Sequence, residues 1–288
     1  MRAALRALLT ERIDYAGLFP PAALSMADAV ANFASYRESA DAWALARFVL
    51  PVVRLEEFEG AAAPHLRGAP WRLAVLAQAT DADAIRAFNR RMAGRADIDT
   101  VESRAATVDD VAALAPLAAL ATTYVEIPIH DDPTPLVTAV AAHGLRAKVR
   151  TGGVTAESIP PARDVARVLV ACVQQRVMMK ATAGLHHPLR GEYALTYDAH
   201  SARATMFGFL NLFLAAAFAH QGMDTATLAD LLDERDANAF HVTDDAVAWR
   251  GHTMAADALA NDHHRFAVSF GSCSFREPLD DLSALPLP

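Results

Sequence analysis

Two lysines, Lys148 and Lys180, each lie at the end of a predicted β-strand, and each precedes a small hydroxyl residue and a glycine. The segment Lys-Val-Arg-Thr-Gly-Gly begins at Lys148, and the segment Lys-Ala-Thr-Ala-Gly begins at Lys180. Two ammonium groups that share a partly dry site lower each other's pKa. One of the two amines is then a nucleophile near neutral pH, as Schiff-base chemistry with a carbonyl compound requires.

The residues around the lysines are suited to holding an anionic group. Arg150 offers a bidentate donor, and the run Thr151, Gly152, Gly153 lets backbone N–H groups approach a ligand closely. Thr182 takes the corresponding place after the second lysine. These features predict a small-molecule substrate that carries a phosphate or a carboxylate. Arg150 also has a second interpretation, an ion pair with Glu126 inside the barrel.

Acidic and imidazole side chains end or follow neighbouring strand candidates at Glu102, Glu126, His186 and His187. We predict that Glu126 or His186 transfers protons and that Glu102 and His187 contact the substrate. A competing hypothesis places a divalent metal at Glu102, Glu126 and a histidine to stabilise an enolate, with a lysine as base, although no ligand spacing indicates a preformed metal site. A third hypothesis is a barrel that binds a small molecule without catalysis. A structural alternative pairs Lys180 with a glutamate and turns the other lysine outward.

The elements that must position these residues alternate along the chain. Short β-branched runs predict strands at 48–53, 73–77, 99–103, 123–129, 146–150 and 177–182. Helical spacing between the strands predicts helices at 82–92, 108–118, 135–143 and 162–175. Six strand–helix units with apolar strands predict an α/β fold, a (β/α)8 barrel of the TIM type. The two lysines are 32 residues apart, one such unit, so they should project into one cavity.

The two ends of the chain complete this architecture. Residues 1–24 are interpreted as an irregular lead-in, and Ser25 as the N-cap of a helix running to about Ala46. Residues 1–46 thus predict an N-terminal helical extension packed on the barrel. Runs at 239–242, 246–249 and 266–270 predict the strands that bring the count near eight. No internal segment has a linker composition, which predicts a single domain over residues 1–288.

Two side-chain groups are expected near the barrel mouth. The polar segment 188–200, with Tyr193 and Tyr197, should cover the mouth as a loop. Cys273 follows the last strand candidate and has no basic partner beside it in the sequence, so we interpret it as a packed thiol. Cys172 lies in an apolar helical stripe and is typical of a buried small hydrophobe.

The two lysine segments resemble those of the class I aldolases of the deoxyribose-phosphate aldolase type. That family carries a Schiff-base lysine in a Lys-Thr-Ser-Thr-Gly segment and an activating lysine in a Lys-Ala-Ser-Gly-Gly or similar segment on the next strand. The segment at Lys148 matches the first pattern at its lysine, threonine and final glycine, and the segment at Lys180 matches the second at its lysine, alanine and final glycine. The resemblance implies a barrel in which Lys148 forms the imine and Lys180 lowers its pKa, with Glu126 as a positional candidate for the family's acidic proton shuttle.

The composition and net charge of the chain argue against several classes of protein. Apolar residues make up 53% of the chain and charged residues 21%, enough for a large core. A net charge of −8 and a pI near 5.7 argue against nucleic-acid or anionic-membrane partners, since either needs a basic face. The apolar run 206–219 is too short to span a bilayer, and the N-terminus lacks a secretory pattern. We therefore expect a cytoplasmic protein without a cofactor, in which 207–218 is core rather than the surface of a homo-oligomer.

Overall fold

Eight parallel strands close into a barrel in the computed structural model, which describes residues 2–285, with side chains at all of these positions except 262–265. In chain order the barrel strands are β1 (Ile13–Tyr15), β2 (Leu45–Pro51), β3 (Trp71–Leu76), β4 (Ala96–Arg104), β5 (Thr122–Glu126), β6 (Arg146–Arg150), β7 (Met179–Thr182) and β13 (Ala267–Ser272). Between β7 and β13 lie strands of two smaller sheets: β8 (Gly191–Ala194), β9 (Arg203–Met206), β10 (Phe240–Val242), β11 (Ala246–Trp249) and β12 (His252–Ala255). The barrel order is β1-β13-β7-β6-β5-β4-β3-β2. The predicted (β/α)8 fold of the TIM type is confirmed.

Helices lie between successive barrel strands, as parallel pairing requires. In chain order they are α1 (Ala3–Leu9), α2 (Met26–Glu38), α3 (Leu55–Ala62), α4 (Ala82–Arg91), α5 (Val108–Leu114), α6 (Thr134–Ala142), α7 (Ala162–Gln174), α8 (Phe209–His220), α9 (Thr225–Asp233), α10 (Ala256–Arg265) and α11 (Arg276–Ala284). The predicted helices at 82–92, 108–118, 135–143 and 162–175 correspond to α4–α7. Of these, α5 ends early, and a short 3-10 helix follows it.

The barrel strands are apolar because both of their faces are covered. Central residues of successive strands are buried, among them Leu50, Val75, Val101, Val125 and Val149. Inward side chains fill the barrel and outward ones pack under the helices, which explains the nearly continuous apolar runs in the sequence. One hydrophobic cluster extends from α1 to α11.

The sequence prediction missed the first barrel strand. Residues 1–24, expected to be irregular, contain α1 and β1, and β1 pairs in parallel with both β2 and β13. The N-terminal helix is present, and Ser25 caps it as predicted, but α2 ends at Glu38 rather than near Ala46. The segment 1–46 therefore supplies a barrel strand, the start of a second strand and two helices, and is not only an extension.

Two of the strands expected to complete the barrel lie outside it. The runs 239–242 and 246–249 correspond to β10 and β11, which form an antiparallel sheet with β12. Three residues separate β10 from β11, too few for the crossover that parallel strands need. Of the three late candidates, 266–270 alone joins the barrel, as β13.

Part of the segment between β7 and β13 lines one side of the barrel mouth, through the loop after β7, residues 194–197 and Met206. β8 and β9 form an antiparallel pair that includes part of the polar segment 188–200. Residues 209–219 of α8 are buried, so the apolar stretch 207–218 is core, as predicted. Within residues 2–285, no helix combines the length and apolar character needed to cross a bilayer.

Candidate active site

Five charged side chains from five barrel strands meet inside the barrel. They are Asp14 of β1, Glu102 of β4, Glu126 of β5, Lys148 of β6 and Lys180 of β7. Lys148 is in register with Glu126 on one neighbouring strand and with Lys180 on the other. All five are buried, and buried charges are stable only when they are paired and hydrogen-bonded.

Lys180 lies between two carboxylates. Its Nζ donates to Asp14 Oδ2 at 2.6 Å and to Glu102 Oε1 at 2.5 Å, and its side chain is 1% exposed. Burial lowers the pKa of this ammonium, but the negative charges of Asp14 and Glu102 outweigh burial and raise the pKa of Lys180. The expectation that each lysine lowers the other's pKa is therefore wrong for Lys180.

Lys148 lies on the other side of the same carboxylate. Its Nζ is 2.6 Å from Glu102 Oε2 and 3.0 Å from Glu126 Oε2, so Glu102 holds one ammonium group on each oxygen. Burial raises the pKa of Glu102, but the charges of Lys148 and Lys180 outweigh it and lower that pKa to about 2. Lys148 points into the barrel rather than outward. The alternative ion pair of Lys180 with a glutamate is present at Glu102.

Asp14 links β1 to three other barrel strands through hydrogen bonds. Its Oδ2 accepts hydrogen bonds from Ser269 Oγ at 2.6 Å and from Lys180 Nζ, and its Oδ1 accepts one from the Arg47 backbone N–H at 3.1 Å. These donors come from β13, β7 and β2. The sequence reasoning missed Asp14 because it lies in a three-residue strand whose neighbours are typical of a turn.

A cavity of about 300 Å³ opens at the C-terminal ends of the barrel strands. Seven predicted site residues line it: Glu102, Lys148, Arg150, Gly153, Thr182, His186 and His187. The other four predicted residues, Lys180, Glu126, Thr151 and Gly152, lie outside this lining. Of the two lysines, Lys148 is thus the one that a molecule in the cavity meets, and Lys180 lies behind Glu102.

Two arginines line the same cavity, and one of them was not predicted. Arg150 Nε donates to Glu126 Oε1 at 2.9 Å, and Arg104 Nε lies 3.3 Å from the same oxygen. Their side chains are 39% and 69% exposed, so both keep donors accessible to an anion. Burial raises the pKa of Glu126, but Lys148 and Arg150 outweigh burial and lower it. Arg150 thus forms the alternative ion pair with Glu126, and it also lines the cavity.

The loops that follow the two lysines touch through their backbones. Thr151 Oγ1 donates to Ala183 O at 2.7 Å. A Cβ on Gly152 would lie 3.1 Å from Gly184 Cα, and Gly184 itself has a φ of +76°, which favours glycine. Thr151 and Gly152 therefore fix one loop against the other behind the cavity wall.

His186 and His187 both pair with α11 rather than with the lysine cluster. His186 Nδ1 lies 3.0 Å from Glu277 Oε2, and its Nε2 lies 3.9 Å from Cys273 Sγ. His187 Nδ1 lies 2.5 Å from Asp281 Oδ2. The two neighbouring imidazoles thus have separate carboxylate partners.

The metal hypothesis finds no ligand set in the part of the chain that the structure describes. No group of three or more His, Cys, Asp and Glu side chains there is arranged to hold a metal ion. Glu102 and Glu126, the two proposed carboxylate ligands, instead have the ammonium group of Lys148 between them.

The number of lysines in the chain singles out Lys148 and Lys180 more clearly than the residues around them do. Lys148 and Lys180 are the only lysines in the chain, and the other 24 of its 26 Lys and Arg residues are arginine. Every primary side-chain amine of this protein therefore belongs to the charged cluster. A count of lysines would have found this signal.

Comparison with known proteins adds little to this geometry. No protein-family model and no curated protein matches the chain. Among solved structures, a lysine/ornithine decarboxylase complexed with cadaverine, from Vibrio vulnificus, is similar with a TM-score of 0.42 and 9% sequence identity. The similarity covers 93% of this chain and 58% of the decarboxylase chain, so this chain spans less than two thirds of its length. A likeness this low says nothing about the reaction, and the chemistry must come from the geometry of the cavity.

Proposed function

We propose that the cavity is the active site of a Schiff-base enzyme of the aldolase type, which breaks or forms a carbon–carbon bond in a small anionic carbonyl compound. Lys148 is the nucleophile. The observation that carries the proposal is the arrangement of the two amines: Lys148 Nζ faces the cavity, whereas Lys180 Nζ is held behind Glu102 by two carboxylates.

The charge balance around Lys148 supports an imine at this position. Glu102 and Glu126 hold a cation at Nζ in the resting protein. A protonated imine keeps one positive charge on the same nitrogen, so both carboxylates stay paired when the imine forms. Removing that charge altogether would leave a buried carboxylate uncompensated, which is costly. The site therefore favours a cationic imine over a neutral adduct.

The reaction needs proton transfers close to Lys148. A neighbouring carboxylate takes a proton from the Lys148 ammonium, and the neutral amine forms a C–N bond to the carbonyl carbon. The carbonyl oxygen leaves as water with that proton and one proton from the nitrogen. In the cationic imine the bond between the α- and β-carbons then breaks: its electron pair forms the enamine, and the β-hydroxyl gives its proton to the carboxylate, so that this fragment leaves as an aldehyde. The α-carbon takes up that proton, and water hydrolyses the imine to release the second product and restore the amine. Glu102 lines the cavity 2.6 Å from Nζ, so we assign it the proton transfers that the sequence suggested for Glu126 or His186.

Lys180 acts on this chemistry through Glu102. It holds the second oxygen of the Glu102 carboxylate at 2.5 Å and so fixes the orientation of the first. Its positive charge also keeps Glu102 ionised, because the pKa of that carboxyl is lowered to about 2. Lys180 is thus a positioning residue, a role different from the lowering of the Lys148 pKa that the family resemblance implies.

Arg104 and Arg150 define the substrate class. Both line the cavity and share a single acceptor oxygen on Glu126, which leaves guanidinium donors for a ligand. A phosphate or carboxylate group fits two neighbouring guanidinium groups well. The cavity of about 300 Å³ limits the substrate to a small molecule.

Borohydride trapping with a panel of small aldehydes and keto acids, with and without phosphate, tests the proposal. Borohydride reduces an imine to a stable secondary amine that is visible by mass spectrometry. Besides the chain's N-terminus, the protein offers two primary amines, Lys148 and Lys180. We expect one reduced adduct per chain, on Lys148, with at least one anionic member of the panel.

The matched control is Lys148→Arg, which keeps a cation between Glu102 and Glu126 but cannot form an imine. It should lose the adduct while its thermal unfolding stays close to that of the unchanged protein. If the panel leaves both lysines unmodified but raises the melting temperature, the barrel binds a small molecule without this chemistry. An adduct confined to the N-terminus contradicts the proposal.

A further inference from the structure

A second group of reactive side chains lines the same cavity. Cys273 directly follows β13, and His186 lies in the segment after the neighbouring strand β7. Glu277 is in the first turn of α11. All three residues line the cavity, yet none is used in the chemistry assigned to Lys148.

The three side chains form a carboxylate–imidazole–thiol chain. Glu277 Oε2 is 3.0 Å from His186 Nδ1, and His186 Nε2 is 3.9 Å from Cys273 Sγ, within the longer range of hydrogen bonds to sulfur. A nucleophile, a base within hydrogen-bond reach and a third group that orients the base are the general signature of covalent catalysis. The Nδ1 contact with Glu277 directs the other ring nitrogen towards the thiol.

Other groups around the thiol complete its environment. Tyr197 OH lies 3.5 Å from Cys273 Sγ and 2.9 Å from Glu277 Oε2, so its single proton can serve either acceptor. A backbone hydrogen bond from Ala22 also reaches the thiol, and Tyr15 is the further titratable group that acts on it. Cys273 is buried at 5% exposure but belongs to the cavity wall.

The electrostatics agree with this geometry. Burial raises the pKa of the Cys273 thiol, but its hydrogen bond to His186 and the charge of that ring outweigh burial and lower the pKa. Burial lowers the pKa of His186, but Cys273 and Glu277 outweigh burial and raise it to about 9. The other cysteine is a built-in contrast, because burial alone raises the pKa of Cys172 to about 12.

We propose that Cys273, His186 and Glu277 form a second covalent centre, in which the Cys273 thiolate attacks the acyl carbon of a small ester or thioester. The thiolate electron pair forms a C–S bond, the bond from the acyl carbon to the leaving oxygen or sulfur breaks, and His186 Nε2 gives its proton to the leaving group. Water then gives a proton to Nε2 and its oxygen to the acyl carbon while the C–S bond breaks. Thiolate and imidazolium are restored, and a carboxylic acid is released.

The probe is p-nitrophenyl acetate, added to the full chain at neutral pH. We expect a burst of about one equivalent of p-nitrophenolate per chain, followed by slower turnover. Peptide mass mapping of the quenched protein should find one acetyl group on Cys273 and none on Cys172. The unchanged protein gives this result directly, so the test needs no variant that folds differently.

Variants assign the roles. Cys273→Ser should abolish the burst, and the matched control Cys172→Ala should keep it. His186→Gln should slow the burst by about 100-fold, the size expected for loss of a general acid–base group. Either of two results overturns the proposal: an acetyl group on other residues with Cys273 unmodified, or a burst rate that His186→Gln leaves unchanged in a variant that retains its circular dichroism spectrum.

Discussion

At the scale of single residues, the site depends on one carboxylate that holds two ammonium groups. Glu102 has Lys148 on one oxygen and Lys180 on the other, and Asp14 takes the remaining contact of Lys180. Breaking such a buried pair from one side leaves an uncompensated charge, which costs more than the pair itself contributes. The cluster is therefore both the chemical centre and a point where stability is sensitive to single changes.

Asp14→Asn tests that sensitivity. An asparagine keeps the size of the side chain but removes the charge that faces Lys180, so we expect the free energy of unfolding to fall by about 3 kcal/mol or more in a denaturant titration. The control is Asp97→Asn, the same substitution where burial and the charge of Asp99 raise the pKa of the carboxyl. The control should not destabilise the protein. Equal losses in both variants would contradict the role of Asp14.

Some contacts of single side chains could be predicted from the sequence, and others could not. The two lysines could be predicted because each lies in a predicted strand and is close in sequence to a glycine. The basic partner of Cys273 could not, because His186 lies 87 residues away and reaches the thiol only after β7 and β13 pair. Cys273 was accordingly predicted to be a packed thiol. Interactions that depend on closing the barrel leave no local pattern.

At the scale of elements, strand length decided what could be predicted. The six strands from β2 to β7 lie at or near their predicted positions, because apolar or β-branched residues mark most of them. β1 has three residues, one of them the buried Asp14, and is too short for that pattern. The antiparallel β10 and β11 have the same local pattern as barrel strands, so only their short connection distinguishes them.

The contact between the loops after β6 and β7 gives an element-scale prediction. Gly184→Ala meets both a positive φ and the Gly152 backbone at 3.1 Å, whereas Gly144→Ala meets a positive φ of +65° with nothing within 4 Å. The φ alone costs about 1 kcal/mol in each variant. We expect Gly184→Ala to lose more free energy of unfolding than this control and to trap less carbonyl compound at Lys148. A loss no larger than that of Gly144→Ala would show that the loops are free to separate.

At the scale of the whole molecule, the barrel combines an apolar shell with an ionised centre. The chain closes on itself when β1 pairs with β13, and Asp14 of β1 then reaches Lys180 of β7. Opening the barrel therefore also exposes the charge cluster to water. Because several carboxylates of the folded protein have a lowered pKa, global stability should depend on pH in the acidic range.

For Glu102 the sign and the range follow from its pKa. Burial opposes ionisation, but the two lysines outweigh it and lower the pKa from 4.5 to about 2, so the stabilisation is present above pH 4.5 and is lost as the pH falls towards 2. The fall corresponds to about 3 kcal/mol. We expect Glu102→Gln to be less stable by about this amount at neutral pH, and the difference should shrink between pH 4.5 and 2. A difference that stays constant over this range would contradict the ion-pair account.

The central claim is that Lys148, and not Lys180, presents its amine to the substrate. The most direct measurement is a crystal structure of the protein reduced with borohydride in the presence of a carbonyl compound that gives an adduct. We predict continuous density from Lys148 Nζ into the cavity, with Lys180 still within hydrogen-bond distance of Asp14 and Glu102. Density attached to Lys180, or a ligand bound in the cavity with both amines unmodified, would contradict the claim.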